Sequence, residues 1–148
     1  MGSLSRRFHS LSPEATKKLA RAFARTLAAR VPQGRRATVV GLTGDLGSGK
    51  TTFTQGFARG LGIRHRITSP TFVIFRNYKL FIHMDAYRIR KISELAPLGF
   101  KKILADPKNI VLVEWAENIK KSLPRNTIYI RFGHGKKRNE RKIEIRQA

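Results

Sequence analysis

The sequence contains no cysteine, few acidic residues and no long apolar run, and each absence excludes a class of protein. Without cysteine the chain forms no disulfides, no thiolate metal sites and no cysteine nucleophile. No apolar run approaches the roughly 18 to 20 residues that cross a bilayer, and no secretory signal is visible near the start. We therefore expect a cytoplasmic protein without membrane contact, in which residues 1–9 are flexible or an expression remnant.

The shortage of acids is the unusual feature of the composition. Nine Asp and Glu stand against 31 Lys and Arg, which gives a formal net charge of +22. A field of this sign attracts nucleic acids and other polyanions without a specific site. Because the basic residues are spread along the chain, a merely solvated or engineered supercharged surface and a real contact with nucleic acid both stay open. The aromatic residues lie mostly in apolar patterns, so no base-stacking surface is predicted.

The most specific motif is G-D-L-G-S-G-K-T at residues 44–51, which has the spacing of a phosphate-binding loop. In such a loop, backbone N–H groups and the N-terminus of the following helix face phosphate oxygens. An apolar strand is predicted before the motif, over 38–42, and a helix after it, over 51–61. The predicted nucleotide-binding residues are Asp45, Leu46, Gly47, Ser48, Gly49, Lys50, Thr51 and Thr52.

Two residues of this loop have defined predicted roles. Lys50 is expected to bridge β- and γ-phosphate oxygens and so to act in catalysis. The hydroxyl of Thr51 is expected to ligate Mg²⁺. A glycine-rich turn that binds nothing is the alternative, and the predicted strand and helix on either side of the loop argue against it.

Two of the scarce acids stand where predicted strands end. Glu114 follows the apolar run 110–113, and Asp85 follows the strand 80–84. In open α/β sheets, ligands bind at the carboxyl ends of strands beside the phosphate loop. We predict that Glu114 holds Mg²⁺, directly or through water. Asp85 is predicted to be a catalytic acid that orients water or a nucleophile, or to serve as a second acid beside the metal. The alternative for each is an acid that only caps the next turn.

Two further residues near these strands have less specific predictions. Thr71 lies in a loop after the phosphate-loop helix and is expected to reach Mg²⁺ or the γ-phosphate, as switch threonines do. Its alternative is an ordinary strand residue. His83 precedes Asp85 by two positions, so both side chains point to one sheet face, and a packed, hydrogen-bonded histidine is favoured over a general base.

The remaining patterns predict the fold class. A helix begins at Ser12-Pro13 and runs to about residue 29, and residues 93–104 form one or two short helical pieces. The alternating segments 127–132 and 141–145 form a C-terminal β-hairpin. Strands alternating with helices then predict one three-layer α/β, P-loop NTPase-like domain with a mixed, largely parallel sheet. Only about four residues separate the strands that end at residue 75 and begin at residue 80, so their pairing stays open.

Five motifs occur together in this order: G-D-L-G-S-G-K-T-T at 44–52, S-P-T-F at 69–72, H-M-D-A-Y-R at 83–88, L-G-F at 98–100 and V-E-W-A-E at 113–117. Together they resemble the TsaE (YjeE) family, small bacterial P-loop ATPases of tRNA threonylcarbamoyladenosine (t6A) biosynthesis. The resemblance covers about residues 10 to 146, and the combination is far more specific than the phosphate loop alone.

The resemblance implies ATP and Mg²⁺ as cofactors, weak ATP hydrolysis and association with TsaB–TsaD-like proteins that form t6A at position 37 of tRNA. Contact with tRNA would be indirect or through the basic surface. The residues of this chain that match the family's site are Lys50, Thr51, Glu114, Asp85 and Thr71. The resemblance also implies that Arg141 contacts the nucleotide and that Ser10 borders the adenine.

Two other functions stay open from the sequence. One is a small P-loop kinase, although 148 residues leave little room for an acceptor pocket and an arginine-bearing lid. The other is a basic nucleic-acid-binding protein in which the nucleotide site is vestigial. Phosphate release without a phosphorylated acceptor would separate the ATPase from the kinase.

Overall fold

A computed structural model describes residues 4–32, 34–67, 75–78 and 80–147 as a seven-stranded sheet with helices on its faces. The strands are β1 (Leu4–Ser10), β2 (Thr38–Thr43), β3 (Phe75–Tyr78), β4 (Phe81–Asp85), β5 (Ile110–Glu114), β6 (Ile128–His134) and β7 (Arg141–Gln147). The helices are α1 (Pro13–Ala28), α2 (Lys50–Gly60) and α3 (Phe100–Ala105), with 3₁₀ helices at Ile92–Leu98 and Ala116–Ser122. None of the helices within these ranges is long and apolar enough to cross a membrane.

The sheet has the strand order β1-β7-β6-β2-β5-β4-β3. Its centre is parallel, because β6, β2, β5 and β4 run in one direction. Antiparallel strands flank this centre, with β7 and β1 on one side and β3 on the other. The predicted mixed sheet and C-terminal hairpin are therefore confirmed. All five residues of β5 are buried, as is typical of a parallel strand covered on both faces.

Two apolar layers cover the sheet and make the fold three-layered. On one face, α1 and α2 pack through a core that includes Phe53, Phe57 and Phe132, whose rings lie 5.4 to 6.3 Å apart in the pairs Phe53–Phe132 and Phe53–Phe57. On the other face, α3 and the two 3₁₀ helices pack on β2, β4 and β5 around Val111 and Val113. The strand–loop–helix unit at the phosphate loop is thus held in a rigid core.

The start of α1 follows from its sequence. Ser12 has extended backbone angles, and its Oγ atom accepts a hydrogen bond of 3.1 Å from the backbone N–H of Ala15. Pro13 occupies the first helical position, where its missing N–H group costs nothing. These contacts confirm the predicted helix start.

The expectation that residues 1–9 are flexible is wrong for the described part of that segment. Leu4–Ser10 forms the edge strand β1, antiparallel to β7, from Leu4 opposite Gln147 to Ser10 opposite Arg141. The Ser5 hydroxyl donates a hydrogen bond of 2.9 Å to Glu144, and Phe8 packs on the apolar core. Pairing with a distant strand, rather than local preference, orders these polar residues.

The short connection between β3 and β4 is a β-hairpin. The two strands are antiparallel, with Phe75 opposite Met84 and Tyr78 opposite Phe81. Two residues therefore join them. The predicted strand over 72–75 shares only Phe75 with β3, and residues 72–74 lie outside the described ranges.

Gly56 sets how closely α2 approaches α1. A Cβ atom at this position would lie 2.4 Å from the backbone oxygen of Lys17 and 2.6 Å from its Cα atom. Contacts this short between a Cβ atom and a helix backbone cannot be relieved by turning a flexible side chain. Any larger residue must push the two helices apart.

We expect Gly56→Ala to lower the free energy of unfolding by about 1 to 3 kcal/mol, the usual cost of overpacking. A loss of stability is informative because alanine is otherwise favoured over glycine inside a helix by about 0.5 to 1 kcal/mol. Urea denaturation measures the change. Gly133→Ala is the control, since its Cβ would meet no atom closer than 3.9 Å. A Gly56→Ala protein as stable as the parent would contradict the close packing.

Candidate active site

The register of three parallel strands brings the predicted site residues to one edge of the sheet. Glu114, at the end of β5, lies opposite Leu42 of β2 and opposite Asp85 of β4. The loop 44–49 leaves the same end of β2 and enters α2. Both strand-end acids therefore stand beside the loop, as the topology of an open α/β sheet favours.

Glycine is required at two positions of the loop. Gly44 has a φ angle of 140°, and a Cβ atom there would lie 2.6 Å from the backbone oxygen of Phe132 in β6. Gly49, at the N-cap of α2, has a φ angle of 107° and no side-chain cap. The first N–H groups of α2 therefore face the loop without a capping oxygen, an arrangement suited to an anion.

Lys50 is held inside the loop that precedes it. Its Nζ atom donates hydrogen bonds to the backbone oxygen of Gly44 and, at 3.0 Å, to that of Asp45. The same ammonium lies 3.7 Å from the centre of the Trp115 ring, a cation–π contact. The side chain is thus extended across the loop and largely enclosed.

The charge state of Lys50 reflects two opposing influences. Burial lowers the pKa of its ammonium, because a low-dielectric environment disfavours the charged form. The carboxylates that oppose this lowering of the pKa are those of Glu117, Glu114, Asp45 and Asp85. The ammonium therefore sits in a locally acidic setting within a strongly basic chain.

Trp115 has a position that sequence reasoning did not predict. Its ring packs against the second apolar layer, covers Lys50 and lies 5.0 Å from the ring of Tyr87. Its φ angle of 57° is in the left-handed region, which is strained for a bulky residue. The only signal in the sequence was its place directly after the strand-end acid Glu114.

Glu114 is fixed by a hydrogen bond at each oxygen. Its Oε1 atom accepts a hydrogen bond of 3.2 Å from the Thr51 hydroxyl, and its Oε2 atom lies 2.5 Å from Nε2 of His83. Glu114 is 2% exposed and His83 is 0% exposed. The prediction of a packed, hydrogen-bonded His83 is confirmed. The hydrogen bond between Thr51 and Glu114 therefore joins the start of α2, just after the loop, directly to the end of β5.

Asp85 lies at the edge of the cleft and is half-buried. Its Oδ1 atom accepts a hydrogen bond of 2.9 Å from the backbone N–H of Tyr87, so it also caps the following turn. Burial raises the pKa of the Asp85 carboxyl, and the nearby Glu114 adds to this shift. The Tyr87 N–H group opposes it by stabilising the carboxylate.

Glu117 is a second residue that sequence reasoning did not assign to the site. Its Oε2 atom accepts a hydrogen bond of 3.3 Å from the backbone N–H of Gly44, at the start of the loop. The contact ties the 3₁₀ helix Ala116–Ser122 to the loop. Its signal in the sequence was the rarity of acids and its distance of three residues from Glu114.

Arg141 reaches the loop from the start of β7. Its Nη2 atom donates a hydrogen bond of 3.1 Å to the backbone oxygen of Gly47. Its Nη1 atom donates to the backbone oxygens of Arg138 and Glu140, at 2.7 and 2.8 Å. These bonds hold the guanidinium against the side of the loop opposite the strand-end acids.

The structure does not bring every predicted residue into the cleft. Ser10 is buried, and its hydroxyl is bonded to Thr16 at 2.7 Å and to the backbone oxygen of Ser12 at 2.9 Å. The Asp45 side chain is exposed, and this residue contributes its carbonyl to Lys50. Thr71 lies outside the described residues, so its predicted role stays a prediction.

The remaining predicted residues surround a single cleft of about 340 Å³. Its lining consists of Leu46, Gly47, Ser48, Gly49, Lys50, Thr51, Thr52, Asp85, Tyr87, Glu114, Trp115 and Arg141. Backbone N–H groups, one lysine, one arginine and two carboxylates therefore converge on one polar space. Such a set suits an anionic ligand that brings a cation with it.

Comparison with known proteins agrees with this geometry. The family profile described as "Threonylcarbamoyl adenosine biosynthesis protein TsaE" matches residues 10–143. The tRNA threonylcarbamoyladenosine biosynthesis protein TsaE of Bacillus subtilis is 41% identical over 128 residues, which are 84% of this chain and 75% of that protein. The protein of the same name from Streptomyces coelicolor is 37% identical over 105 residues, 66% of this chain and 70% of its own.

A solved structure shares the fold. The crystal structure of Bacillus subtilis YdiB is 33% identical and superposes with a TM-score of 0.76, covering 99% of this chain and 88% of that one. The family match spans nearly the whole chain and includes the loop, both strand-end acids and Arg141. The chain therefore belongs to the TsaE family, whose proteins take part in t6A biosynthesis.

Proposed function

We propose that the chain is a Mg²⁺-dependent ATPase of the cytoplasm that serves t6A formation on tRNA together with TsaB–TsaD-like proteins. The observation that carries this proposal is the 3.2 Å hydrogen bond between Thr51 and Glu114. It joins the end of the phosphate loop to the strand-end acid, the pair that P-loop ATPases use around Mg²⁺. The family membership supports the pathway, and the cleft supports the chemistry.

Nucleotide binding is supported by unsatisfied groups in the loop. Within the described residues, the buried Oγ atom of Ser48 has no hydrogen-bond partner. Buried polar atoms in proteins are nearly always paired, so an orphan atom in this place favours a ligand. The N-terminus of α2 adds the positive end of the helix dipole, because no side chain caps it at Gly49.

The metal proposal fits the ligands that are present. No group of three or more His, Cys, Asp or Glu side chains suited to a metal occurs in the described part of the chain. Mg²⁺ in nucleotide sites takes few protein ligands and completes its shell with phosphates and water. The Thr51 hydroxyl and the Glu114 carboxylate would hold it, and the bound ion would neutralise charge on the phosphates.

The other cleft residues have separate proposed tasks. Lys50 exchanges its carbonyl partners in the loop for phosphate oxygens, and Arg141 adds a second cation from the opposite side. Asp85 orients the attacking water, and its raised pKa makes its carboxylate a better proton acceptor. Among the residues that the structure describes, the cleft lining includes one arginine and no glutamine, so within this part of the chain the water-positioning and charge-stabilising set of fast P-loop hydrolases is incomplete. We therefore infer slow turnover that a partner accelerates.

The proposed function is tested by reconstitution with TsaB–TsaD-like proteins of the same source. We expect sustained t6A formation on tRNA only when this chain, ATP and Mg²⁺ are all present. Release of phosphate without a phosphorylated small-molecule acceptor would accompany it. Full t6A formation in the absence of the chain, or transfer of the γ-phosphate to an acceptor, would contradict the proposal.

Replacing Lys50 tests its contact with the phosphates. We expect Lys50→Ala to weaken ATP binding at least tenfold and up to about 100-fold, the value of one charge-assisted hydrogen bond. Calorimetric titration measures the affinity, and Lys121→Ala is the control because that lysine is exposed and does not line the cleft. Equal affinities for Lys50→Ala and the parent would refute the assigned contact.

Replacing Glu114 by its amide tests the metal site. Glu114→Gln keeps the size and an acceptor for Thr51 but removes the charge, so we expect the Mg²⁺ concentration for half-maximal ATPase activity to rise about tenfold or more. Glu14→Gln removes an equal charge from an exposed position on α1 and should leave the Mg²⁺ requirement unchanged. A similar rise in both variants would mean that overall charge, and not Glu114, governs the requirement.

Asp85→Asn tests the conflict between function and stability at this position. Because burial raises the pKa of Asp85 in the folded protein, ionised Asp85 costs stability at pH 7. Without metal or nucleotide, Asp85→Asn should therefore be slightly more stable than the parent at pH 7. The difference should shrink as the pH falls through the folded pKa towards the unfolded value of about 4. ATP hydrolysis should fall more than ATP binding.

Urea denaturation at several pH values, in the presence of a chelator, measures this difference. The amide oxygen of asparagine can still accept the hydrogen bond from Tyr87, so the turn is kept. A variant less stable than the parent at pH 7, or an equal loss of ATP binding and hydrolysis, would overturn the assignment.

A further inference from the structure

In the described part of the chain, no helix covers one face of the strands β1, β7 and β6. The helices α1 and α2 pack on their other face, around Phe132 and Ile143. The second layer of α3 and the 3₁₀ helices packs on β2, β4 and β5 and reaches only Tyr129 of β6. Three antiparallel strands therefore present an open surface beside the nucleotide cleft.

Cationic side chains stand in successive rows across this surface. Arg7, Glu144 and Arg131 are direct cross-strand neighbours, and the adjoining rows contain Lys142 on one side and Arg146 on the other. Neighbouring strands lie about 4.8 Å apart, and alternate residues along a strand about 7 Å apart. We call the exposed residues Arg7, Arg131, Lys142 and Arg146 the basic sheet face.

The carboxylate of Glu144 organises the basic sheet face. Glu144 is only 17% exposed and accepts hydrogen bonds of 2.9 Å from both Arg146 and Ser5, with Arg7 at 3.9 Å. The hydrogen bonds from Arg146 and Ser5 lower the pKa of Glu144, so it stays ionised. One negative charge among four cations leaves a surplus of positive charge and holds two of the guanidinium groups in place.

The chemistry of this face does not suit a protein partner. It forms a shallow trough of about 570 Å³ whose lining includes the charged side chains of Arg7, Arg131, Lys142 and Glu144. The cores of protein interfaces are depleted of charge and contain aromatic anchors. The ring of Tyr129 is half-buried, with Lys120 5.7 Å from its centre, Phe8 packs on the apolar core, and His9 is paired with Glu140. Base stacking is therefore also unsupported, which leaves contacts to phosphates.

We propose that the basic sheet face binds the phosphodiester backbone of RNA, through its charges and without reading base sequence. The choice of RNA among polyphosphates rests on the proposed function in tRNA modification. Lys142 follows Arg141, which lines the nucleotide cleft, so bound RNA would lie next to that cleft. Binding of this kind is electrostatic and weakens steeply with salt.

Two triple variants of equal charge test the proposal. Arg7→Gln, Arg131→Gln and Lys142→Gln together remove three charges from the basic sheet face. Lys18→Gln, Arg21→Gln and Arg25→Gln together remove three charges from the exposed side of α1, on the opposite layer. The affinity of the full chain for a fluorescein-labelled RNA duplex is measured by anisotropy between about 50 and 200 mM salt, without nucleotide. ATP binding is measured on the same proteins.

We expect the sheet-face variant to bind the duplex at least tenfold more weakly than the parent. The slope of log affinity against log salt concentration should become less steep by roughly 2 to 3. The α1 variant should stay within about twofold of the parent. Equal losses in both variants would overturn the proposal, because the charge would then act without a defined face. Binding to phosphatidylglycerol vesicles is measured in parallel. If the sheet-face variant lost affinity for these vesicles but not for the RNA duplex, the proposal would also be overturned. ATP binding that is retained in the sheet-face variant shows that a change in RNA affinity does not come from loss of the nucleotide site. Failure of this proposal is thereby distinguished from failure of the proposed function.

Discussion

The parallel register of β4, β5 and β2 is the constraint on which the site depends. It places Glu114 between Asp85 and Leu42, so that two acids and the start of the phosphate loop share one edge of the sheet. A slip of one residue would turn Glu114 to the opposite face, because side chains alternate along a strand. The fully buried strand β5 resists such a slip, since its apolar residues contribute to both cores.

Electrostatics distinguish the cleft from the rest of the molecule. The chain has nine acidic residues, and the carboxylates of four of them raise the pKa of Lys50. These carboxylates favour the charged form of Lys50 against the effect of burial, and the Trp115 ring packs on its ammonium. A surface that attracts polyanions thus encloses a site where carboxylates are concentrated. A triphosphate entering that site needs a cation to offset these carboxylates, which is consistent with the proposed use of Mg²⁺.

Sequence reasoning succeeded where local signals determine structure. The phosphate loop, the Ser12 cap and the C-terminal hairpin are each encoded by neighbouring residues, and parallel topology then brings Glu114 and Asp85 together. It failed where structure depends on distant contacts. The strand Leu4–Ser10 exists because β7 pairs with it from the far end of the chain. The left-handed backbone of Trp115 and the contact of Glu117 with Gly44 likewise arise only in the assembled fold.

The most direct test of the site is calorimetric titration of ATP into the parent protein, once with Mg²⁺ and once with a chelator. A cradle of N–H groups, Lys50 and the Thr51–Glu114 pair predicts one bound ATP per chain and markedly weaker binding without Mg²⁺. No measurable binding in the presence of Mg²⁺, or binding of equal strength with and without it, would contradict the assignment of this cleft.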